Sequence, residues 1–235
     1  MTGLLQVVDV SAGYGPFHAL FDVSFSVGPG EAVAVLGANG AGKTTLARVA
    51  SGLVAPESGA VMVDGRDLTG GQPHRFVRAG IAHATEGRSV FASLTVEENL
   101  RLSFRRSLGS AGVGPAIEQA FAQFPALARR RAQDAGELSG GEQRMLSLAR
   151  VLVESPKLLI ADELSLGLAP IIVDEIYAQL ARLRDEGAAL LIVEQHVSHA
   201  LELCDRALLL EHGSIIWEGS AADAGERVAS KIFEH

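Results

Sequence analysis

A glycine-rich phrase, GANGAGKT, carries the clearest chemical signal in this 235-residue chain. It extends from Gly37 to Thr44 and fits G-x-x-x-x-G-K-[ST], a loop whose backbone N–H groups surround nucleotide phosphates. Glycine lets the backbone curl closely around an anion, and the start of a following helix adds free N–H donors. An ordinary glycine-rich turn has no need of Lys43 before Thr44 at a strand-to-helix junction. The phrase therefore predicts nucleotide binding by Gly37, Ala38, Asn39, Gly40, Ala41, Gly42, Lys43, Thr44 and Thr45.

A second signal is an apolar strand with an acidic end, PKLLIADE, from Pro156 to Glu163. Within the first phrase, Lys43 is expected to reach the β- and γ-phosphates and Thr44 to place its hydroxyl on Mg²⁺. Asp162 is then expected to hold Mg²⁺, directly or through water, as in the Walker B motif. Glu163, one residue later, can polarise the attacking water as a general base. The alternative, a strand end with solvated acids, explains an Asp-Glu pair alone but not its presence beside a phosphate-binding loop.

The phrase LSGGEQ (138–143) is the most discriminating feature. Ser139 and Glu142 form a capping box, so one interpretation is simply a well-capped helix. That interpretation does not explain Gly140 and Gly141 at the first helical positions, where each weakens the helix by about 1 kcal/mol. Exposed N–H groups without side chains suit a second phosphate-binding helix start. Because the first loop already binds its own nucleotide, Ser139, Gly140 and Gly141 are predicted to close on the γ-phosphate of another subunit.

Composition limits the function classes. Hydrophobic residues are 48% and charged residues 20%, which is typical of a globular protein. A net charge of −8 does not favour a nucleic-acid partner. The apolar runs fall short of the ~20 residues that span a bilayer, and no signal peptide is expected, so the predicted location is cytoplasmic. The single cysteine, Cys204, cannot form an intrachain disulfide, and its apolar flanks predict a packed thiol.

Alternating strand and helix patterns predict an α/β fold with an antiparallel β edge and an inserted α-helical subdomain. The core is predicted at 1–85 and 139–235, and the helical insert at 86–138. Thr95-x-x-Glu98 is a capping box that begins a helix, and Gly109 to Gly114 reads as a flexible link. Arg129–Arg131 is interpreted as a solvated helix end, with phosphate contact as the weaker alternative. The main predicted elements are strands at 4–10, 20–27, 32–36, 60–63, 81–84, 158–161, 189–193, 206–210 and 215–218, and helices at 45–49, 74–78, 140–154, 171–186, 197–203 and 221–232.

With these motifs, nearly the whole chain resembles the ATP-binding subunits of ABC transporters. In that family LSGGE is the signature motif, and two subunits sandwich two ATP molecules head to tail. The resemblance implies a P-loop ATPase core of the ABC type, with ATP and Mg²⁺ as ligands. It also implies that Tyr14, in the phrase SAGYG, stacks on adenine; the alternative is an ordinary turn tyrosine.

More narrowly, the chain resembles the ATPases of branched-chain amino-acid importers. The phrases that carry this likeness are YG at 14–15, EGR at 86–88, Phe91 with LTVEENL at 94–100, SLGLAP at 165–170 and VEQ at 193–195. Most ABC ATPases carry Gln in the loop that senses the γ-phosphate, whereas this subgroup carries Glu, here Glu86. The resemblance therefore adds Glu86 to Thr44 and Asp162 as residues implied in the metal site. Urea-importer ATPases usually show Gln there and are the runner-up.

Three positions depart from the family pattern. Leu164 replaces the Pro that normally follows the catalytic Glu, which affects the expected rigidity of the loop at Glu163. Ala169 replaces an Asp that bridges subunits in many members. Gln195 falls at the switch-histidine position because the preceding strand fixes the register, and a shift of one residue would bring His196 there instead. The other histidines show no ligand spacing and are interpreted as surface or packing residues: His18, His74, His83, His199 and His212.

The resemblance implies an ATP-hydrolysing motor subunit, peripheral on the inner face of the cell membrane. Its implied partners are a second ABC ATPase, transmembrane permease subunits and, through the permease, an extracytoplasmic solute-binding protein, without nucleic acid. A non-transport ABC ATPase of translation or DNA repair is disfavoured by the single P-loop, the acidic charge and the short distance from Lys43 to Ser139. A P-loop kinase is opposed by the signature phrase. The transported solute, and whether the pair is a homodimer or a heterodimer, stay open at the sequence level.

Overall fold

The structure is a computed structural model, which describes residues 3–85, 90–152, 154–195 and 197–225. It divides into two compact units. The sheet unit comprises Met1–His83, Lys157–Glu163 and Arg184–His235, and the helical unit comprises Ala84–Pro156 and Leu164–Leu183. In chain order the elements are β1 (Leu5–Tyr14), β2 (Phe17–Val27), β3 (Ala32–Leu36), α1 (Lys43–Ala50), β4 (Ser58–Val63), β5 (Arg66–Asp67), α2 (Pro73–Arg78), β6 (Ile81–Ala84), α3 (Val96–Gln123), α4 (Pro125–Ala128), a 3₁₀ turn (Ala135–Glu137), α5 (Gly140–Leu152), β7 (Leu158–Asp162), α6 (Pro170–Asp185), β8 (Ala189–Glu194), α7 (Val197–Leu203), β9 (Arg206–Glu211) and β10 (Ser214–Ser220).

A six-stranded sheet in the order β10-β9-β3-β8-β7-β6 forms the centre of the sheet unit. Its strands β3, β7 and β8 are buried along their whole length, as expected for apolar runs in a parallel sheet covered on both faces. Strand β8 pairs in parallel with β3 on one side and β7 on the other. Register places Leu36 beside Glu194 and Asp162 beside Val193, so the carboxyl ends of all three strands meet at one edge.

A four-stranded antiparallel sheet, β2-β1-β4-β5, forms the predicted antiparallel edge. Strands β1 and β2 are long and interrupted by bulges, and Asp9 and Asp22 adopt positive φ there. In the alternating run of β2, Val23, Phe25 and Val27 are buried, whereas Phe21 is half exposed. The apolar faces of both sheets belong to one hydrophobic core with α1.

The helical unit is built on α3, whose N-terminus has the predicted capping box between Thr95 and Glu98. The link expected from Gly109 to Gly114 is instead almost entirely helical. Only Gly109 leaves the helical region, with φ 69°, and the chain bends there because glycine tolerates a left-handed backbone. After α4, Arg129, Arg130 and Arg131 are all exposed, as expected for a solvated helix end. Arg130 also pairs with Glu142, and Arg131 pairs with Glu97 and Glu118.

The observed division differs from the boundary predicted at residue 138. Helices α5 and most of α6 belong to the helical unit rather than to the ATPase core. Helix α5 buries Met145, Leu146 and Leu148, and it packs against α3 and α4 within the helical unit. A sequence boundary at the signature phrase separates these contacts, whereas the folded unit keeps them together. No helix in the described ranges is long and apolar enough to cross a membrane.

Most predicted elements agree with the structure to within a few residues. Strand β6 and helix α7 have the predicted bounds. The helix expected from Ala221 to Ile232 is present at 221–225, and the rest of that prediction lies outside the described residues.

Candidate nucleotide-binding and hydrolysis site

The loop between β3 and α1 forms an anion cradle. Helix α1 begins at Lys43, with Gly42 as its N-cap in a left-handed conformation, φ 104°. Gly42 offers no side chain to cap this helix, and no acidic residue occupies its first turn. A Cβ at Gly42 would lie 2.6 Å from the carbonyl oxygen of Ala19, so only glycine fits. This uncapped helix start suits a phosphate group.

Lys43 lies inside this loop rather than in solvent. Its side chain is 3% exposed, and Nζ donates hydrogen bonds to the carbonyl oxygens of Gly37 at 3.0 Å and Ala38 at 3.1 Å. The same nitrogen lies 3.4 Å from Oε1 of Glu163. The cation is therefore held among backbone oxygens and one carboxylate, within the loop that is expected to receive phosphates.

Thr44 and Asp162 form the second part of the site. The hydroxyl of Thr44 donates to Oδ1 of Asp162 at 3.3 Å, and Asp162 is 1% exposed at the carboxyl end of β7. A hydroxyl and a carboxylate are hard oxygen ligands of the kind that Mg²⁺ prefers, and Mg²⁺ usually adds substrate phosphates to one or two carboxylates. No group of three His, Cys, Asp or Glu in the described ranges could hold a metal alone. The donor set therefore fits a Mg²⁺ ion that is shared with a nucleotide.

Glu163 follows Asp162 in a strained backbone conformation. Its φ is 48°, which is unfavourable for a residue with a Cβ, and its N–H donates to the carbonyl oxygen of Val193 at 2.9 Å. Such strain concentrates at functional sites, where the surrounding structure maintains it. The next residue, Leu164, is buried. The leucine that replaces the family proline therefore has an apolar environment that can fix it by packing.

Tyr14 lies at the end of β1 with its ring accessible. The residue is 44% exposed, and its hydroxyl accepts a hydrogen bond from Nη1 of Arg48 at 3.1 Å. Arg48 belongs to α1, the helix that begins at the phosphate loop. The ring is thus tied to that helix while it keeps an open surface, as a base-stacking platform requires.

His83, on β6, is a site residue that the sequence analysis missed. Its side chain is 7% exposed, its Nδ1 is hydrogen-bonded to the hydroxyl of Ser51 at 2.9 Å, and its Nε2 lies 3.9 Å from Oδ2 of Asp162. Burial, together with the nearby Arg48 cation, lowers the pKa of His83 to about 4. The ring is therefore neutral near pH 7. No local sequence signal identifies it, because the ring comes close to Asp162 only through the order of the sheet, in which β6 neighbours β7.

The signature phrase lies in the helical unit at the start of α5. The backbone N–H and the hydroxyl of Ser139 both donate to Oε2 of Glu142, and the N–H of Glu142 donates back to Ser139 Oγ. This is the predicted capping box. Glu142 also receives a hydrogen bond from Nε of Arg130 at 2.6 Å. A Cβ at Gly141 would come within 3.1 Å of Ile172, so the glycine also serves close helix packing.

The structure places the remaining predicted residues as follows. Gln195 directly follows β8, is exposed, and lies at the edge where β3 also ends. Glu86 and His196 lie outside the described residues. The sheet unit thus brings together Lys43, Thr44, Asp162 and Glu163, with Tyr14 connected through Arg48.

Comparison with known proteins identifies the family. Residues 20–165 match the family model described as ABC transporter. The high-affinity branched-chain amino acid transport ATP-binding protein BraG of Pseudomonas aeruginosa is 43% identical over 93% of this chain and 94% of its own length. The probable branched-chain amino acid transport ATP-binding protein LivF of Archaeoglobus fulgidus is 38% identical over 93% and 92%. More distant relatives include lipopolysaccharide export and Nod factor export ATP-binding proteins, at 33% and 36% identity.

A solved structure gives the same fold. The ADP conformation of an ATP-binding cassette of an ABC transporter matches this chain with a TM-score of 0.83 at 27% identity, covering 98% of this chain and 96% of that one. The match therefore extends over both units of the chain. The chain belongs to the ABC transporter family, and it is an ATP-hydrolysing, nucleotide-binding subunit of a transporter.

Proposed function

We propose that this chain powers an importer of branched-chain amino acids. The observation that carries the proposal is the 43% identity to BraG over almost the whole of both chains, against 33% and 36% for the export ATPases. The phrases EGR at 86–88 and LTVEENL at 94–100 favour the same subgroup. The runner-up is a urea or amide importer, and a non-transport ABC ATPase ranks below both.

The residues of the site account for phosphoryl transfer to water. Lys43 binds the β- and γ-phosphates, for which it exchanges its present bonds to Gly37 and Ala38. Thr44 and Asp162 would hold Mg²⁺, which would neutralise charge that develops on the phosphate oxygens. Glu163 accepts a proton from the attacking water while the bond from the γ-phosphorus to the bridging oxygen breaks, releasing ADP and phosphate. Glu86 contributes to the metal site and senses the γ-phosphate.

Further residues are proposed to contact the adenine ring and the phosphates. Tyr14 stacks on adenine, and the loop residues Gly37–Thr45 wrap the phosphates. After β8, either Gln195 or His196 contacts the γ-phosphate as the switch residue. Gln195 is favoured because it follows the end of β8 directly, at the edge that carries the P-loop.

The working unit is proposed to be a pair of ATPase subunits. Ser139, Gly140 and Gly141 of one subunit close on the γ-phosphate held by the other, since α5 begins with two glycines, which have no side chains to block approach to their N–H groups. The pair is either two copies of this chain or this chain with a related ATPase. It couples to transmembrane permease subunits that receive solute from an extracytoplasmic binding protein, and it is cytoplasmic and peripheral on the inner face of the membrane.

An uptake assay tests the cargo. Disruption of the gene should lower uptake of radiolabelled leucine, isoleucine and valine, and the wild-type gene should restore it. A Lys43→Met gene should fail to restore it, because ATP no longer binds productively. Unchanged leucine uptake together with reduced urea uptake would favour the runner-up. Unchanged uptake of both solutes, with ribosomes or DNA recovered in pull-downs and no permease, would favour the non-transport alternative.

A further inference from the structure

A chain of buried polar groups connects the end of α1 to Asp162. Ser51 follows α1, and its hydroxyl lies 2.9 Å from Nδ1 of His83. On the other side of the ring, Nε2 lies 3.9 Å from Oδ2 of Asp162, whose other oxygen accepts from Thr44. All four residues belong to the sheet unit.

The position of Nε2 is unusual for a buried polar atom. It is shielded from solvent, and no atom of the described residues hydrogen-bonds to it. Leaving a buried polar group unsatisfied costs about 1–3 kcal/mol, so native proteins seldom retain one without a reason. Oδ2 of Asp162 lies 3.9 Å from Nε2, which exceeds hydrogen-bond length by roughly 1 Å. A small shift of either side chain would close this gap.

The negative charge of Asp162 determines which ring nitrogen of His83 carries the proton. A neutral ring carries one N–H, on either Nδ1 or Nε2. A lone pair on Nε2 would face the carboxylate of Asp162, whereas an N–H at that position is attracted to it. The Nε2–H form is therefore favoured, and Ser51 then donates its single hydroxyl proton to Nδ1 rather than to the carbonyl oxygen of Ala47, which lies at the same distance of 2.9 Å. This leaves one donor directed at the carboxylate that is proposed to hold the metal.

We propose that His83 is a positioning residue that fixes the Asp162 carboxylate for Mg²⁺ by donating a hydrogen bond from Nε2, with Ser51 fixing the ring. Hydrogen bonds of this outer kind orient metal ligands, and their loss typically lowers metal affinity about 10- to 100-fold. The inference rests on the proposed metal role of Asp162. It assigns a function to a histidine whose sequence spacing gives no indication of one.

Two nearly isosteric substitutions separate this role from packing. The side-chain oxygen of Asn can take the place of Nδ1 and accept the hydrogen bond from Ser51, but Asn cannot reach toward Asp162. The amide nitrogen of Gln can replace Nε2 and reach toward Asp162. A packing role predicts losses in the free energy of unfolding that follow side-chain size, with no selective effect on metal binding, whereas the positioning role predicts that the folded His83→Asn variant binds metal more weakly than His83→Gln.

The test uses Mn²⁺ as the metal probe with the full chain and a non-hydrolysable ATP analogue. The protein is in excess over nucleotide, and free Mn²⁺ is read by electron paramagnetic resonance. His83→Asn and His83→Phe should weaken Mn²⁺ binding about tenfold, while His83→Gln stays within about threefold of wild type. Ser51→Ala should give an intermediate loss. Metal-free nucleotide affinity, measured in EDTA, should be unchanged in every folded variant.

Several outcomes would overturn the inference. His83→Asn retaining wild-type Mn²⁺ affinity, or His83→Gln losing as much as His83→Asn, would show that Nε2 does not orient the metal site. If His83→Phe does not fold, the Asn and Gln pair alone decides the matter. If wild-type protein with nucleotide binds Mn²⁺ no more tightly than nucleotide alone, the proposed metal role of Asp162 itself fails. That result differs from a failure of the His83 role, in which the wild-type protein still strengthens Mn²⁺ binding.

Discussion

The ammonium of Lys43 lies 3.4 Å from the carboxylate of Glu163, and both side chains are largely shielded from solvent. The proposed general base is thus paired with the cation that is expected to bind the substrate. A phosphate that attracts Lys43 also separates it from Glu163. We therefore expect nucleotide binding to free the Glu163 carboxylate from its ion pair with Lys43.

The first prediction concerns this lysine. Lys43→Met should weaken ATP binding roughly 10- to 100-fold, since a hydrogen bond to a charged group contributes about 1.5–3 kcal/mol. Lys157→Met is the matched control because it removes the same charge from an exposed pair with Asp64. Calorimetric titration of ATP measures both. Equal affinities in the two variants would remove Lys43 from phosphate binding.

The second prediction concerns the backbone of the phosphate loop. Gly42→Ala should lower the free energy of unfolding by roughly 2–4 kcal/mol, because its Cβ meets a carbonyl oxygen and its φ is 104°. Gly65→Ala, with φ 72° and open space around the new Cβ, should cost only about 1 kcal/mol. Urea denaturation compares the two. A loss of the same size in both would mean that the loop adapts to a side chain at Gly42.

The third prediction concerns base stacking. Tyr14→Ala should weaken ATP binding about tenfold, since stacking of a base on an aromatic ring contributes about 1–3 kcal/mol. Tyr14→Phe should lose much less because it keeps the ring and removes only the acceptor for Arg48. Phe21→Ala serves as a control for removal of a half-exposed ring on β2. Wild-type affinity for ATP in Tyr14→Ala would show that the ring does not stack on adenine and that Tyr14 is an ordinary turn residue.

The fourth prediction concerns the single cysteine. Burial, with the Asp205 carboxylate nearby, raises the pKa of Cys204 to about 12. Because the folded state favours the neutral thiol, this group stabilises the fold fully below its ordinary pKa of 9.0, and that stabilisation is lost as pH rises from 9 toward 12. At pH 8 a thiol reagent should react with the native protein about a thousandfold more slowly than with the unfolded chain. Equal rates would show that the thiol is accessible.

Much of the fold can be predicted from local sequence. The buried strands β3, β7 and β8 have continuous apolar runs that end at glycine or acidic residues. These runs predict both that the segments are strands and where they end, and the glycine-rich phrase predicts the phosphate loop. The capping boxes at Thr95 and Ser139 likewise mark helix starts. These features depend on neighbours in the chain, so a sequence suffices to identify them.

The features that sequence reasoning missed depend on contacts between distant segments. Gly109 to Gly114 has the composition of a link, yet tertiary packing around Val113 and Ala116 keeps the segment helical except at Gly109. His83 becomes part of the site only because β6 lies beside β7. The division of the chain after β7 likewise follows helix packing rather than any local signal.

The roles of Glu163 as general base and of ATP in pairing two subunits are tested most directly by measuring ATP turnover and oligomeric state in Glu163→Gln. Steady-state hydrolysis should fall at least about 100-fold, because the amide cannot accept the proton of the attacking water. ATP affinity should be retained, and ATP should shift the variant to a dimer in size-exclusion chromatography with light scattering. Glu57→Gln, at an exposed pair with His18, should behave as wild type. Undiminished hydrolysis by Glu163→Gln would contradict the assignment of the general base, and absence of an ATP-dependent dimer would contradict the paired site.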